Sequence, residues 1–427
     1  MSRFWLAILI AAALPLRADR VRVIVAVGLP ELRHTSLPSL RTEVVESLET
    51  ASDIETWGTG AAFSTEIERS ELEELSRDPR VRAISIDEGG QGALLDSVPL
   101  VGADIVHAKG FDGRGVTVAV LDTGIDEANV NFSGRIVDQR CFCDNLDGTG
   151  CCPNGEAKQS GPGAARDDNG HGTHVSGIIA GNGATAPAGI APGARILAVK
   201  VLDYNRSFRS FTQIYRALEW IAAERPDVKV INMSFGSWAI FEPLACDGAA
   251  ISLGMQNIVA QLRERGVLIT ASSGNQSSTV GTTIPSCMHD VLGVGATYDA
   301  PGDRQSLCEQ KTTRPDEVTC FTNSSGAIDL FAPGAVITST GRGGGFATMS
   351  GTSMAAPHVA GALALMLQVS GGTITASQAE TILKTTGRPI VDPRNGLVFP
   401  RLDVAAAIAA TPYVPPVPGP KRRGVRK

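Results

Sequence analysis

Several things are scarce in this chain of 427 residues. Aromatic residues make up only 5% and charged residues 19%, while hydrophobic residues reach 43%. That balance is globular and excludes a largely disordered chain. Positive charge is not in excess: Lys plus Arg number 38 against 44 acids, net −6, which leaves no electrostatic footprint for nucleic acid. After residue 16 no apolar run approaches the ~18 residues a membrane span requires. Cysteine is absent before residue 141, and the 47 glycines follow no G-X-Y period, so a collagen-like chain is excluded.

The charge is unevenly distributed. Residues 19–92 carry 15 acids against 8 bases, whereas residues 412–427 carry Lys421, Arg422, Arg423, Arg426 and Lys427 without an acid. The chain opens with Arg3 followed by an apolar stretch over 4–16, the pattern of a signal-peptide core. Cleavage is expected after Ala18, although Leu16 is bulky for the −3 position. Export from the cytoplasm, to the periplasm or the outside, is therefore expected, with disulfides among the eight cysteines. Cys308 and Cys320 bracket a polar loop and suit each other, which leaves Cys246 with Cys287. Cys151 and Cys152 are adjacent and poor partners for one another, so each is expected to bond Cys141 or Cys143, with the order open. A zinc held by four thiolates is the rival reading, but the spacing is not that of a usual zinc site.

Residues 19–92 read as a small α+β unit: strands at 21–27, 61–63 and 81–86, and a helix over 36–50. A second helix starts at Ser70, with Ser70 and Glu73 as a capping box. A glycine-rich joint, 89–92, follows. The larger unit runs from 93 to 411. Nearly continuous apolar runs at 115–121, 195–201, 228–232, 266–271 and 291–295 alternate with helical patterns such as 211–223 and 249–265. The fold class is therefore α/β, a doubly wound, mostly parallel sheet flanked by helices. Ligands of such sheets bind at the carboxyl ends of the strands. The proline-rich basic segment 412–427 reads as a disordered tail.

Three segments fall where the ligand is expected. Val118-Ala-Val-Leu-Asp122-Thr-Gly ends a buried strand on a carboxylate. Asn169-Gly-His171-Gly-Thr-His174 sets an imidazole among glycines that permit close backbone approach. Thr348-Met-Ser-Gly-Thr-Ser353-Met-Ala-Ala-Pro357-His358 leads into an apolar helix over 355–369, with Pro357 in its first turn and Ser353 at its N-terminus. Taken singly, the aspartate reads as a turn residue and the serine as a helix cap; together they suit nucleophilic catalysis.

These motifs, in this chain order, resemble the subtilisin-like serine peptidases, or subtilases, over about residues 98–411. The resemblance implies a secreted endopeptidase with Ser353 as nucleophile, His171 as general base and acid, and Asp122 orienting the imidazole. Asn275, in Ala271-Ser-Ser-Gly274-Asn275, would supply the oxyanion hole beside the Ser353 N–H. His174, His358 and Asp126 would be structural. Protein or peptide substrates would pair as an extended strand with Ser207, Phe208, Arg209, Ser210 and Phe211 on one side and Ser234, Phe235 and Gly236 on the other. Ala271, Ser272, Ser273, Gly274, Thr283 and Ile284 would complete a pocket before the scissile bond, expected to be roomy and apolar. Arg206 and Arg209 read as a solvated loop. Residues 19–92 resemble the inhibitory propeptide of the family, removed by autocleavage within 89–95. The chain is expected to act as a monomer and to require no cofactor. The family's usual calcium loop is missing, because residues 181–189 contain no carboxylate, and Asp144, Asp147, Asp167 and Asp168 are only weak candidates for an ion.

Overall fold

A strand apolar at successive positions has no polar face to turn to water, so it must be covered on both sides. Thr117–Asp122 meets that condition, with all six residues buried. In the computed structural model, residues 20–28, 37–56, 62–86, 94–301, 307–308 and 312–415 are described. The expected signal segment, the joint at 89–92 and the basic end from 416 lie outside them. The chain forms two compact units, Met1–Gln91 and Gly92–Lys427.

The larger unit is built on a ten-stranded sheet. From one edge its order is Arg388–Val391, Val398–Arg401, Leu330–Pro333, Leu292–Thr297, Leu268–Ser272, Val228–Met233, Thr117–Asp122, Arg195–Lys200, Ile136–Phe142 and Lys158–Ser160. The inner strands are all parallel, and the outermost strand at each edge is antiparallel. Alternate side chains of the first strand feed two cores. Val118 and Val120 join the face covered by His171–Ala180 and Thr352–Val369; Ala119 and Leu121 join the face covered by Phe211–Glu224 and Ala250–Glu264. Thr117–Asp122 lies between two strands that follow it in the chain, Arg195–Lys200 on one side and Val228–Met233 on the other. The winding reverses there, which opens a crevice at the carboxyl ends.

The expected core strands and long helices are present within a few residues. The helix carrying Ser353 starts at Thr352, three residues earlier than expected, so Pro357 falls in its second turn. Thr352–Val369 is the one helix among the described residues long and apolar enough to cross a membrane, but 89% of it is buried inside the protein as a core helix. The short strands Ile136–Phe142, Leu330–Pro333, Ile337–Thr340 and Phe346–Met349 had no counterpart in the expected pattern.

The smaller unit pairs four antiparallel strands in the order Ser52–Thr56, Ala62–Glu68, Arg20–Val27, Val81–Ile86. Val21, Val23 and Val25, with Phe63 of the neighbouring strand, form one face that packs with Leu40 and Val44 of the helix. The expected capping box at Ser70 is not formed: Ser70 is itself helical, with φ −63°, and its side chain makes no cap bond. The helix-opening Glu71 is drawn instead to the turn before the second strand, where it accepts from the backbone N–H groups of Glu49 at 2.7 Å and Thr50 at 3.2 Å.

All eight cysteines are paired. Cys246–Cys287 and Cys308–Cys320 form as expected. The order left open at the crowded cluster resolves as Cys141–Cys152 around Cys143–Cys151. The nesting follows from an antiparallel bridge between Asp144 and Gly150, which folds the loop back on itself. Four thiolates are therefore consumed as disulfides and no zinc site exists there. Cys246–Cys287 spans 41 residues and Cys143–Cys151 only 8. Loop-closure entropy then predicts a loss of about 4 kcal/mol when Cys246 and Cys287 are replaced by alanine, and a smaller one, below about 2.5 kcal/mol, for Cys143 and Cys151, whose loop Cys141–Cys152 still closes; denaturant unfolding of the whole chain measures both.

Candidate active site

Asp122 is the last residue of its strand and is fully buried. Its carbonyl accepts from the N–H groups of Val201 at 2.8 Å and Leu202 at 3.1 Å, so the neighbouring strand end holds it. Its Oδ1 accepts from the Thr123 N–H at 2.7 Å and from His171 Nδ1 at 2.7 Å. A carboxylate can only accept there, so Nδ1 carries the proton and Nε2 is left free to accept. Asp122 Oδ2 is buried without a partner.

His171 opens its helix behind Gly170, whose φ of 112° is open to glycine and strained for other residues. Gly172 carries the helix against the turn that follows Asp122. A β-carbon there would lie 2.2 Å from the Gly124 carbonyl oxygen and 3.1 Å from the Asp122 Cβ. The close approach anticipated around His171 is therefore to the aspartate's own turn.

Asp167 clamps the same junction. Its Oδ1 accepts from Thr123 Oγ1 at 2.8 Å and from the N–H groups of Asn169 at 3.0 Å and Gly170 at 2.8 Å. Its Oδ2 accepts from the Thr173 N–H at 2.9 Å and hydroxyl at 2.6 Å. Burial opposes its charge, but the bonds from Thr173, Gly170 and Thr123 together outweigh it and hold the carboxyl below the usual range. Asp168 meets Lys200 Nζ at 2.8 Å, and that fully buried ammonium also donates to the carbonyls of Thr123 and Leu202, both at 2.9 Å. Asp147 accepts from the Thr149 N–H and hydroxyl. In the 181–189 loop, the Asn131 side chain accepts from the N–H groups of Ala184 and Thr185. Asp147, Asp167 and Asp168 are thus engaged by the protein's own donors.

Ser353 is the second residue of its helix. Four residues on, Pro357 has no N–H to offer the Ser353 carbonyl. Ser234 fills the gap, its hydroxyl donating to that carbonyl at 2.8 Å, while the Ser353 hydroxyl donates to the Ser234 carbonyl at 3.0 Å. Ser353 and His171 border one cleft, but the serine hydroxyl is turned onto Ser234 and makes no hydrogen bond to the imidazole. Asn275 enters the same cleft. Its Oδ1 accepts from both the N–H and the hydroxyl of Thr352 at 2.9 Å, and a backbone N–H requires oxygen opposite it. Nδ2 is thereby turned toward Gly351, where a β-carbon would lie 3.2 Å from Nδ2 and 3.7 Å from the Ser353 nitrogen. Thr352, absent from the expected site, is the residue that aims this amide.

Of the expected substrate residues, Ser207, Phe208, Ser234, Phe235, Gly236, Ser272, Gly274 and Thr283 line the cleft, whose volume is about 400 Å³. Arg209, Ser210, Phe211, Ala271, Ser273 and Ile284 do not. The Arg209 guanidinium lies over Gly148, Ser210 caps the next helix, and Phe211 meets Phe208 edge to face, ring centres 4.9 Å apart. Ala271, Ser273 and Ile284 are buried in the walls. Arg206 borders the cleft, with Leu202 and Trp238, two residues that no motif marked.

His174 and His358 are buried beside the site. His174 Nε2 faces the carbonyls of Ile337 and Ala347, both at 3.0 Å; His358 Nδ1 faces the Met354 carbonyl at 2.8 Å and its Nε2 the Ser97 hydroxyl at 3.0 Å. Burial, and then the neighbouring His171, pushes the pKa of His174 down to about 3; burial pushes that of His358 down to about 4. Asp126 is structural, as expected: its Oδ2 accepts from the Gly343 N–H at 2.8 Å.

Two predictions follow from this geometry. Asp167→Asn sets an amide donor against donors that now meet a carboxylate; a loss of about 2–3 kcal/mol in unfolding free energy is expected in denaturant titrations. For the histidines, an unfolded imidazole binds its proton near pH 6.5, whereas the folded ones resist until about 3 and about 4. Their neutral burial therefore costs nothing above pH 6.5, and stability drains away as pH falls below it, by up to about 1.4 kcal/mol per pH unit for each histidine. Urea midpoints between pH 7 and 4 should fall less steeply in His358→Gln.

The sequence pattern of the subtilase family matches residues 113–400. Alkaline serine exoprotease A of Vibrio alginolyticus is 28% identical over 390 residues, covering 85% of this chain, which spans 63% of that relative's length. Subtilisin E of Bacillus subtilis (strain 168) is 30% identical over 330 residues, covering 76% of this chain and 75% of its own. Alkaline protease of Shouchella clausii is 33% identical over 312 residues, covering 72% and 69%. The crystal structure of a cold adapted subtilisin-like serine proteinase aligns with a TM-score of 0.51 at 29% identity, over 68% of this chain and 89% of that one. The chain belongs to the subtilase family of serine-type endopeptidases.

Proposed function

We propose that this protein is a secreted, self-processing precursor whose larger unit hydrolyses peptide bonds through an acyl-enzyme on Ser353. The observation that carries this reading is one cleft shared by His171, fixed on Asp122, by Ser353, and by the Asn275 amide that Thr352 orients. The Ser353 hydroxyl leaves the Ser234 carbonyl and gives its proton to His171 Nε2 as Oγ attacks the peptide carbonyl carbon. Negative charge gathers on the carbonyl oxygen, where Asn275 Nδ2 and the Ser353 N–H receive it at the start of a helix. Asp122 steadies the imidazolium. His171 passes the proton to the departing amine, and the acyl group remains on Ser353 until water, deprotonated by the same imidazole, releases it. No cofactor enters these steps.

The substrate is a protein segment lying extended along Ser207 and Phe208 on one side and Ser234 to Gly236 on the other. Residues 1–18 direct export, residues 19–92 serve as an intramolecular inhibitor until they are cut away within 89–95, and the mature enzyme acts as a monomer. The α+β build of the described residues of the smaller unit supports the propeptide assignment.

A fluorophosphonate should label the wild-type protein at Ser353 and leave Ser353→Ala unlabelled, with peptide anilides hydrolysed only by the wild type. Absence of labelling would leave a binding protein on an inactive scaffold, and turnover of simple esters alone would point to an esterase. Amino-terminal sequencing of purified Ser353→Ala should find residues 19–92 still attached; trimming of that variant on its own would disprove self-processing.

A further inference from the structure

Arg206 borders the cleft, and a little further along the chain the Arg209 guanidinium lies over Gly148. Read from the sequence as a solvated loop, these two cations open a longer line. The helix Phe211–Glu224 leads away from them, and its Gln213 side chain donates to the Asp144 carbonyl at 3.4 Å. That bond lays the helix along the strand Ile136–Phe142 and the disulfide-nested loop behind it. Trp220 meets Phe142 with ring centres 6.3 Å apart, and the Arg140 guanidinium packs on both rings, 5.3 and 5.4 Å from their centres. Arg216 stands one turn before Trp220 on the same helix face. Lys158, in the edge strand, is paired directly opposite Phe142 and so projects from the same side of the sheet.

Five cations, Arg206, Arg209, Arg216, Arg140 and Lys158, thus follow one another from the mouth of the cleft to the edge of the sheet. None of their side chains forms an ion pair or a hydrogen bond with a described residue, and the Nε of Arg140 is buried without an acceptor. The acids close by are otherwise engaged. Asp138 and Asp227 hold Arg225, Asp147 accepts from Thr149, and Glu224 accepts from the Trp220 indole at 3.0 Å. Asp144 and Glu156, on the same loop, make no ion pair with any of the five. Such a line is unexpected on a chain of net charge −6. A guanidinium clamped flat on two rings also loses little freedom when it meets a carboxylate.

We propose that this line is a second contact surface for protein substrates, outside the cleft, and that the enzyme prefers to cut where an acidic stretch precedes the scissile bond. A peptide extended along Ser207 and Phe208 leaves the cleft beside Arg209. The helix rises ~1.5 Å per residue, so Phe211 and Trp220 are about 13.5 Å apart along it. About four extended residues, at ~3.3 Å each, cover the same length. Aspartates or glutamates on that stretch meet Arg209, Arg216 and Arg140 in turn. Exposed pairs contribute little singly; the surface acts through their sum and by drawing acidic chains toward the cleft. The inference rests on the peptidase reading given above and adds to it the class of protein that is selected.

The test uses the full chain, allowed to mature, and two peptide anilides that share the residues held in the cleft and carry either a run of glutamates or a run of glutamines upstream. At low salt the wild type should favour the glutamate peptide by about 5–20-fold in kcat/KM, the sum of a few exposed pairs. The gain should lie in KM, because these contacts are the same before and during bond cleavage. In about 0.5 M sodium chloride the preference should shrink to about twofold or less. Arg140→Met combined with Lys158→Gln and Arg216→Gln should bring the low-salt ratio below about threefold and leave kcat/KM for the glutamine peptide unchanged. If that variant does not fold, Lys158→Glu with Arg216→Glu, which spares the ring contacts, should make the glutamate peptide the poorer substrate. Equal kcat/KM on the two peptides at low salt, or a folded triple variant with its preference intact, overturns the inference while leaving the peptidase reading untouched. Retention on a sulfated polysaccharide without any preference between the peptides assigns the line to another polyanion and overturns the inference equally. A wild type that neither takes the fluorophosphonate at Ser353 nor cleaves either anilide overturns both.

Discussion

The arrangement of this site depends on how closely two pieces of backbone can approach. The helix that begins at His171 lies against the turn after Asp122 so tightly that a β-carbon at position 172 would sit inside the van der Waals shell of the Gly124 carbonyl. A methyl group at that point would force the helix outward, and the 2.7 Å contact between imidazole and carboxylate would open with it. The rest of the junction keeps that contact in place. Asp167 gathers donors from Thr123 on one side and from Asn169, Gly170 and Thr173 on the other. Lys200, with no exposure to water, spends its three protons on two carbonyls and Asp168. A buried cation is tolerable only when satisfied in this way, and the bonds that satisfy it also fix the strand ends on which Asp122 is carried.

A second device works at Ser353. A proline inside a helix ordinarily leaves a carbonyl unpaired one turn back. Here the carbonyl belongs to Ser353 itself, and the hydroxyl of Ser234 takes it, while the Ser353 hydroxyl rests on the Ser234 carbonyl. The serine of the helix and the end of the sheet are joined by two reciprocal bonds, one of which must break before the hydroxyl can turn to His171. The protein thus holds its candidate nucleophile at rest on a neutral acceptor within the cleft.

Much of this was legible in the residues because long buried strands and amphipathic or apolar helices leave strong periodicities. The run 115–121 could be read from its uniform hydrophobicity, and Phe211–Glu224 from its apolar face. Short strands such as Leu330–Pro333 and Phe346–Met349 were not legible, since four residues carry too little pattern. Ser70 misled for a different reason. The letters of a capping box were present, but Ser70 is itself helical and Glu73 is taken by Arg77 one turn on, so the helix began without the cap.

The sequence by itself determined the chemistry on offer: an acid, an imidazole, a hydroxyl and an amide in motifs ordered along an α/β chain, with cysteines paired in kind if not in order. That is so because backbone periodicity and the residue types at strand and helix ends are local properties. Only the tertiary structure decided which wall residues face the cleft, that Thr352 aims Asn275, and that an antiparallel bridge nests the crowded disulfides. Each of these depends on distances between segments far apart in the chain, set by packing at the ångström scale, which spacing along a sequence does not encode.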